Sequence, residues 1–132
     1  LYDGVEPALH ALAAEGFRLA ICTNKPLALA EKLLSALNVR EHFGGMIGAD
    51  SLPVRKPDPR PYRAAVAQAG GNVSRSFLLG DTETDVKTAR AAGVRVSLIG
   101  FGPEGAGISR LSPDHVLERF ADLPRLAREW LV

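Results

Sequence analysis

Little in this sequence can hold a fold together except the core it buries. There is one cysteine, Cys22, in 132 residues, which excludes an internal disulfide. Cys22 lies in an apolar stretch and reads as a buried, inert thiol, which fits a reducing cytoplasm. The three histidines, His10, His42 and His115, are scattered and lack metal-ligand spacing. No apolar run is long enough for a transmembrane helix, and no signal-peptide pattern opens the chain. Neither sign of charge is in excess: 16 Lys and Arg against 15 Asp and Glu give a net charge of +1. That balance gives no reason to expect nucleic acid or an acidic membrane as a partner. Repeats, low-complexity tracts and internal boundaries are absent, so residues 1–132 read as a single domain with one core. An initiator methionine is absent too, Met46 being the only methionine, so a segment preceding Leu1 is expected.

What is present alternates between two periodicities. Val5, Leu9 and Leu12 recur at helical spacing behind Glu6-Pro7. A strand is expected over residues 17–23, then a helix whose apolar face is Leu29, Leu33 and Leu37. Residues 43–49 suggest a short strand weakened by glycine, and 50–58 a loop. Asp58 caps a helix starting at Pro59, with Tyr62, Ala65, Val66 and Ala69 as its buried face. A strand at Phe77-Leu78-Leu79, a helix to Gly93 and a strand over residues 94–99 follow. Residues 100–113 are rich in glycine and proline and suggest a mobile loop. A short edge strand at 114–117 and a helix from Asp122, bearing Leu123, Leu126 and Trp130, complete the chain. Strand–helix alternation of this kind predicts a Rossmann-like α/β/α fold, a parallel sheet covered on both faces.

One stretch dominates the chemistry. After Phe77-Leu78-Leu79-Gly80, three carboxylates fall within five residues: Asp81, Glu83 and Asp85. Two readings are open. Mg²⁺ takes oxygen ligands, usually one or two carboxylates plus water and phosphate oxygens, so the stretch suits half of a magnesium–phosphate site. Thr82 and Asp85 also suit a capping box at a helix N-terminus, where carboxylates are favoured anyway. Thr23-Asn24, at the end of an earlier strand, is either a turn with a helix cap or an anion-binding hydroxyl and amide. Lys56 is either a solvated loop charge or a fixed cation. In a right-handed wound sheet all of these arrive at the carboxyl ends of the strands, where ligands bind. A hydroxyl, an amide, a cation and two carboxylates gathered there describe a phosphoryl site.

In order, Thr23-Asn24-Lys25-Pro26, Lys56-Pro57-Asp58-Pro59 and Gly80-Asp81-x-x-x-Asp85 resemble the motifs of the haloacid-dehalogenase superfamily of phosphatases, most closely its phosphoglycolate phosphatase branch. The opening Gly4-Val5-Glu6-Pro7-Ala8-Leu9 is similar to the segment where that branch returns from its cap to its core. The similarity extends to Pro113-Asp114-His115-Val116 and Ala121-Asp122-Leu123-Pro124. The resemblance implies a Mg²⁺-dependent phosphatase of small phosphorylated metabolites, phosphoglycolate among them. It implies that Thr23, helped by Asn24, binds phosphate oxygens and that Lys56 neutralises phosphate and nucleophile. Asp81 would ligate Mg²⁺, and Asp85 would hold the metal's water or Lys56. A phosphomutase of the same superfamily shares this core, and a non-catalytic module could keep the fold for binding alone. A phospho-receiver domain uses similar residues, but there the acidic pair comes early and the lysine late.

The sequence departs from the family in one respect. The family's first motif is an Asp-x-Asp pair, whose first member attacks phosphorus and whose second is the general acid and base. Here the aspartates are Asp3, Asp50, Asp58, Asp81, Asp85, Asp114 and Asp122, and no two lie two apart. The resemblance therefore implies the C-terminal part of the core, without the nucleophile strand and cap, and inactive alone. The missing N-terminal segment becomes an expected partner. Its strand belongs between those ending at Thr23 and Gly80, so these two should either flank an open slot or pair directly.

Overall fold

The computed structural model describes residues 3–102 and 105–132. The elements run α1 (Val5–Ala14), β1 (Ala20–Cys22), α2 (Leu27–Ala36), β2 (Gly45–Ile47), α3 (Arg60–Gln68), β3 (Phe77–Gly80), α4 (Glu83–Ala92), β4 (Arg95–Ile99), β5 (His115–Leu117) and α5 (Leu123–Leu131), with 3₁₀ turns between several of them. Each strand pairing is parallel, as helical crossovers between consecutive strands require.

The strands form two sheets, β1–β2 and β3–β4–β5. Ile21 lies opposite Met46, Leu78 opposite Val96, and Leu98 opposite Val116. Among the described residues, β1 and β3 do not pair. The sheets nevertheless share two cores. In the first, Tyr62 of α3, Val86 and Ala89 of α4, and Ile108 enclose Leu78, Val96 and Leu98, and Cys22 packs against this cluster. In the second, Leu12 of α1 meets Leu117 and the Leu123, Leu126 and Ala127 face of α5, with Leu19 and Leu79 packed alongside. Helices thus cover both faces, and the seam between β1 and β3 runs through the middle. Of the two outcomes expected for these strands, direct pairing does not occur. Leu19 O accepts from Gly44 N–H and Thr23 N–H donates to Ile47 O. Odd-numbered residues of β1 therefore bond β2, and the backbone groups of Ala20 and Cys22 face the seam.

Four expectations need correction. The strands expected over 17–23 and 43–49 shrink to three residues each, with single backbone bonds at Leu19 and Thr23 marking where the pairing ends. Part of the loop expected at 100–113 is a 3₁₀ helix, Gly105–Leu111, pinned by the buried Ile108; residues 103 and 104 lie outside the described residues. Leu29, Leu33 and Leu37 do not face the core but lie 42–43% exposed. Ala30 is the buried residue of α2, and a bidentate Arg40–Glu31 pair ties the helix to the turn at Arg40–His42. The buried face of α3 is Tyr62 and Ala65, with Ala69 just beyond its end, while Val66 is only half-buried.

Candidate functional site

The turn after β3 is built from local rules. Thr82 caps α4 by accepting the Asp85 N–H at 3.3 Å on Oγ1. Asp85 returns the favour as the third residue of a capping box. Its Oδ2 accepts from the N–H of Asp81 at 3.0 Å, the N–H of Thr82 at 3.2 Å and the Thr82 hydroxyl at 2.9 Å. Gly80 makes this possible by what it lacks. A Cβ on Gly80 would sit 2.4 Å from the Asp85 carboxylate carbon. Gly80 is thus required for the carboxylate's close approach.

The other oxygen of Asp85 reaches across the molecule. Oδ1 accepts from Lys56 Nζ at 2.7 Å, and the two side chains are only 6% and 12% exposed. This ion pair joins the loop after β2 to the turn after β3, across the seam. Burial pushes the Asp85 carboxyl up, but the Lys56 charge and hydrogen bond, with the hydrogen bonds from the Asp81 N–H and the Thr82 hydroxyl, outweigh it and hold the group below its usual range. Asp81 behaves in the opposite sense. Its partial burial comes first, then the charge of Asp85, and together they raise its carboxyl against the pull of Lys56.

The turn after β1 is fastened by distant partners. Asn24 Oδ1 accepts the Lys56 N–H at 3.1 Å, and Asn24 Nδ2 donates to the Lys56 carbonyl at 3.2 Å. Thr23 Oγ1 accepts the Lys25 N–H at 3.1 Å. Ala49 N–H donates to the Lys25 carbonyl at 2.8 Å, and the Asp50 carboxylate accepts the Leu27 N–H at the start of α2, also at 2.8 Å. Gly48 brings the loop this close, since a Cβ there would lie 2.5 Å from Leu27 N. The sequence reading missed Asp50 and Gly48. An Asp preceding a turn is too common a pattern to reveal a helix-capping partner 23 residues away.

Lys56, Asp81 and Asp85 therefore come together, and Asn24 joins them through the Lys56 backbone, with Thr23 next to it. Cys22 also lies in this neighbourhood. Burial pushes its thiol up to about 11, with Lys56 lowering it and Asp85 raising it further. It stays a thiol at neutral pH, in keeping with an inert role. Among the described residues, no three His, Cys, Asp or Glu side chains converge as a metal site. Both Asp85 oxygens are engaged, one by Lys56 and the other by the β3 turn, while the Asp81 residue beside it is exposed. No described helix is long and apolar enough to cross a membrane.

Residues 1–93 match the family model for haloacid dehalogenase-like hydrolases. The chain is 40% identical over 131 residues to a phosphoglycolate phosphatase of Cereibacter sphaeroides, covering 99% of this chain and 59% of the relative. It is likewise 40% identical to a phosphoglycolate phosphatase of Rhodospirillum rubrum, covering 93% of this chain and 51% of that protein. Among solved structures, a predicted phosphoglycolate phosphatase from Haemophilus somnus 129PT superposes with a TM-score of 0.85 at 32% identity, covering 96% of this chain and 56% of the other. The chain thus spans little more than half the length of these relatives.

Proposed function

Since the chain belongs to the haloacid dehalogenase-like hydrolase family, we propose that its strand-end site is the phosphoryl-binding half of a phosphatase acting on small phosphorylated metabolites, phosphoglycolate foremost. The observation that carries this reading is the buried Lys56–Asp85 ion pair beside Asp81. A lysine held by a carboxylate whose second oxygen is locked into a helix N-terminus is a fixed cation. Fixed charge aimed at a phosphoryl group stabilises the charge that builds during transfer, without reorganisation. Thr23, with its hydroxyl proton free to turn, donates to a phosphate oxygen. Lys56 neutralises a second. Asp81, exposed beside the ion pair, would offer its carboxylate to a hard cation. Mg²⁺ bound there would polarise a phosphate oxygen and screen its charge; one exposed carboxylate suits this ion, which keeps most of its ligands as water and phosphate.

The nucleophile lies outside this chain in the same reading. A parallel strand carrying Asp-x-Asp, seated between β1 and β3, would bond the groups of Ala20 and Cys22 that face the seam. It would place an attacking carboxylate beside Lys56. That carboxylate would displace the substrate's alcohol from phosphorus, the second Asp giving the leaving oxygen its proton, and water would then cleave the aspartyl-phosphate to release phosphate. The segment preceding Leu1 is the partner proposed for this slot, and a cytoplasmic setting fits the unpaired Cys22. The test is phosphoglycolate hydrolysis, with and without Mg²⁺, by the 132-residue chain and by a protein extended with its preceding coding sequence. Turnover is expected only in the extended protein with Mg²⁺, and Lys56→Ala or Asp81→Asn should remove it. Metal-dependent turnover by the 132 residues alone, lost on Asp81→Asn, would overturn the placement of the nucleophile.

A further inference from the structure

We propose that Asn24 is a positioning residue that acts through Lys56 and does not itself touch the phosphoryl group. The inference rests on the phosphoryl-site reading and concerns a residue whose type suggests direct anion binding. In the structure both ends of the Asn24 carboxamide are in use. Oδ1 accepts the Lys56 N–H at 3.1 Å and Nδ2 donates to the Lys56 carbonyl at 3.2 Å. This reciprocal pair closes over 32 residues of sequence and clamps the Lys56 backbone from one side.

Only an amide can do this. One backbone N–H and one backbone C=O on the same residue need an acceptor and a donor on the same short side chain. Asp offers acceptors alone, and Gln reaches one methylene too far. The clamp matters because Lys56 is anchored at two levels. Its ammonium is held by Asp85, from the turn after β3. Its backbone is held by Asn24, from the turn after β1. The adjacent strap, Lys25 O to Ala49 N–H and Leu27 N–H to Asp50, ties the same two loops together. Thr23 and Lys56, which arrive from different loops, are thereby fixed at one spacing. A phosphoryl group bridging them would meet two donors already in register, which is how preorganisation raises affinity.

Two readouts separate this role from direct binding. The first is amide hydrogen exchange at Lys56 in the 132-residue chain. Asn24→Ala should speed exchange at Lys56 by about fivefold or more, the loss of one backbone-protecting hydrogen bond. Asn24→Asp, which keeps the acceptor for that N–H, should retain most of the protection. The exchange of Val96, in β4, should be unchanged, which guards against a general loss of fold. The second is a double-mutant cycle on the affinity for inorganic phosphate. If Asn24 works through Lys56, then Asn24→Ala weakens binding several-fold in the wild-type chain and by less than about twofold once Lys56 is alanine. Additive losses would overturn the proposal, because they would put Asn24 on the phosphate. Unchanged Lys56 exchange in Asn24→Ala would overturn it independently. A wild-type chain that binds no phosphate contradicts the phosphoryl-site reading, and with it Asn24's role there, while the exchange experiment still decides the clamp.

Discussion

The turns after β3 and β1 deliver polar residues to the same place by opposite means. The β3 turn is closed within a few residues. Thr82, Asp85 and the Asp81 N–H satisfy one another, and only Lys56 comes from elsewhere. The β1 turn is closed from outside: Asn24 by Lys56, Lys25 by Ala49, and Leu27 by Asp50. The strands differ likewise. In β4, at the centre of the larger sheet, Val96, Ser97 and Leu98 are fully buried. In β1 all three residues are only half-buried. The centre of the larger sheet is sealed, whereas β1, though its partner β2 is buried against α3, has one edge for which no backbone partner is found among the described residues. A locally closed turn should fail all at once when its hub is removed. A turn closed by several distant straps should lose them piecemeal.

The largest expected effect is therefore at the hub. Asp85→Ala strands the buried Lys56 ammonium and three donors at the α4 N-terminus, and breaking such a pair costs about 3–5 kcal/mol. Urea denaturation measures it, and a loss below about 1 kcal/mol would mean that the pair is as weak as a surface one.

Acid should act on the same hub. The folded Asp85 carboxyl is depressed, so the stability it contributes is complete above the ordinary aspartate value of 3.8. That contribution disappears as pH falls through its lower folded value. Asp81 is raised and has the opposite sign, so its protonation on the way down favours the folded state. Stability should hold or rise slightly as pH approaches 4, about the ordinary aspartate range, then fall. Asp85→Asn should flatten part of that fall in a pH series of urea midpoints. Asp114, held down by Arg90 and the Val96 amide against its own burial, accounts for some of the remainder.

The straps should cost less. Asp50→Ala removes the acceptor for Leu27 N–H at the start of α2, worth about 0.5–2 kcal/mol for a helix cap. The smallest effect belongs to the outward face of α2. Leu33→Gln should change the urea midpoint by no more than about 0.5 kcal/mol equivalent. A larger loss would show that the exposed leucines are covered in solution.

The same division explains what was legible in the sequence. Alternating periodicities gave the parallel α/β order, and the spacing of Thr82 and Asp85 gave the capping box, because both depend on neighbours a few residues apart. The two readings of the acidic turn prove compatible: Asp85 is capping-box partner and lysine anchor at once, one oxygen for each. The leucine spacing in α2 was misleading because helical periodicity identifies a face without saying whether anything covers it. The role of Asn24 was hidden because its partner lies 32 residues away and is a backbone, which carries no side-chain signature. Ile108 was hidden by its glycine-rich surroundings, although one apolar residue is enough to pin a loop.

The most direct test concerns the seam. Thr23 N–H is bonded to Ile47 O, while Ala20 and Cys22, in the same strand, turn their amides away from β2. In the 132-residue chain these two amides should exchange faster than that of Thr23 by about tenfold or more, as exposed edge groups do. Supplying the preceding segment, as a separate peptide or as an extended protein, should slow them to the Thr23 rate. Ala20 and Cys22 amides already as slow as Thr23 in the chain alone, or unmoved by the added segment, would contradict an open seam that receives the nucleophile strand.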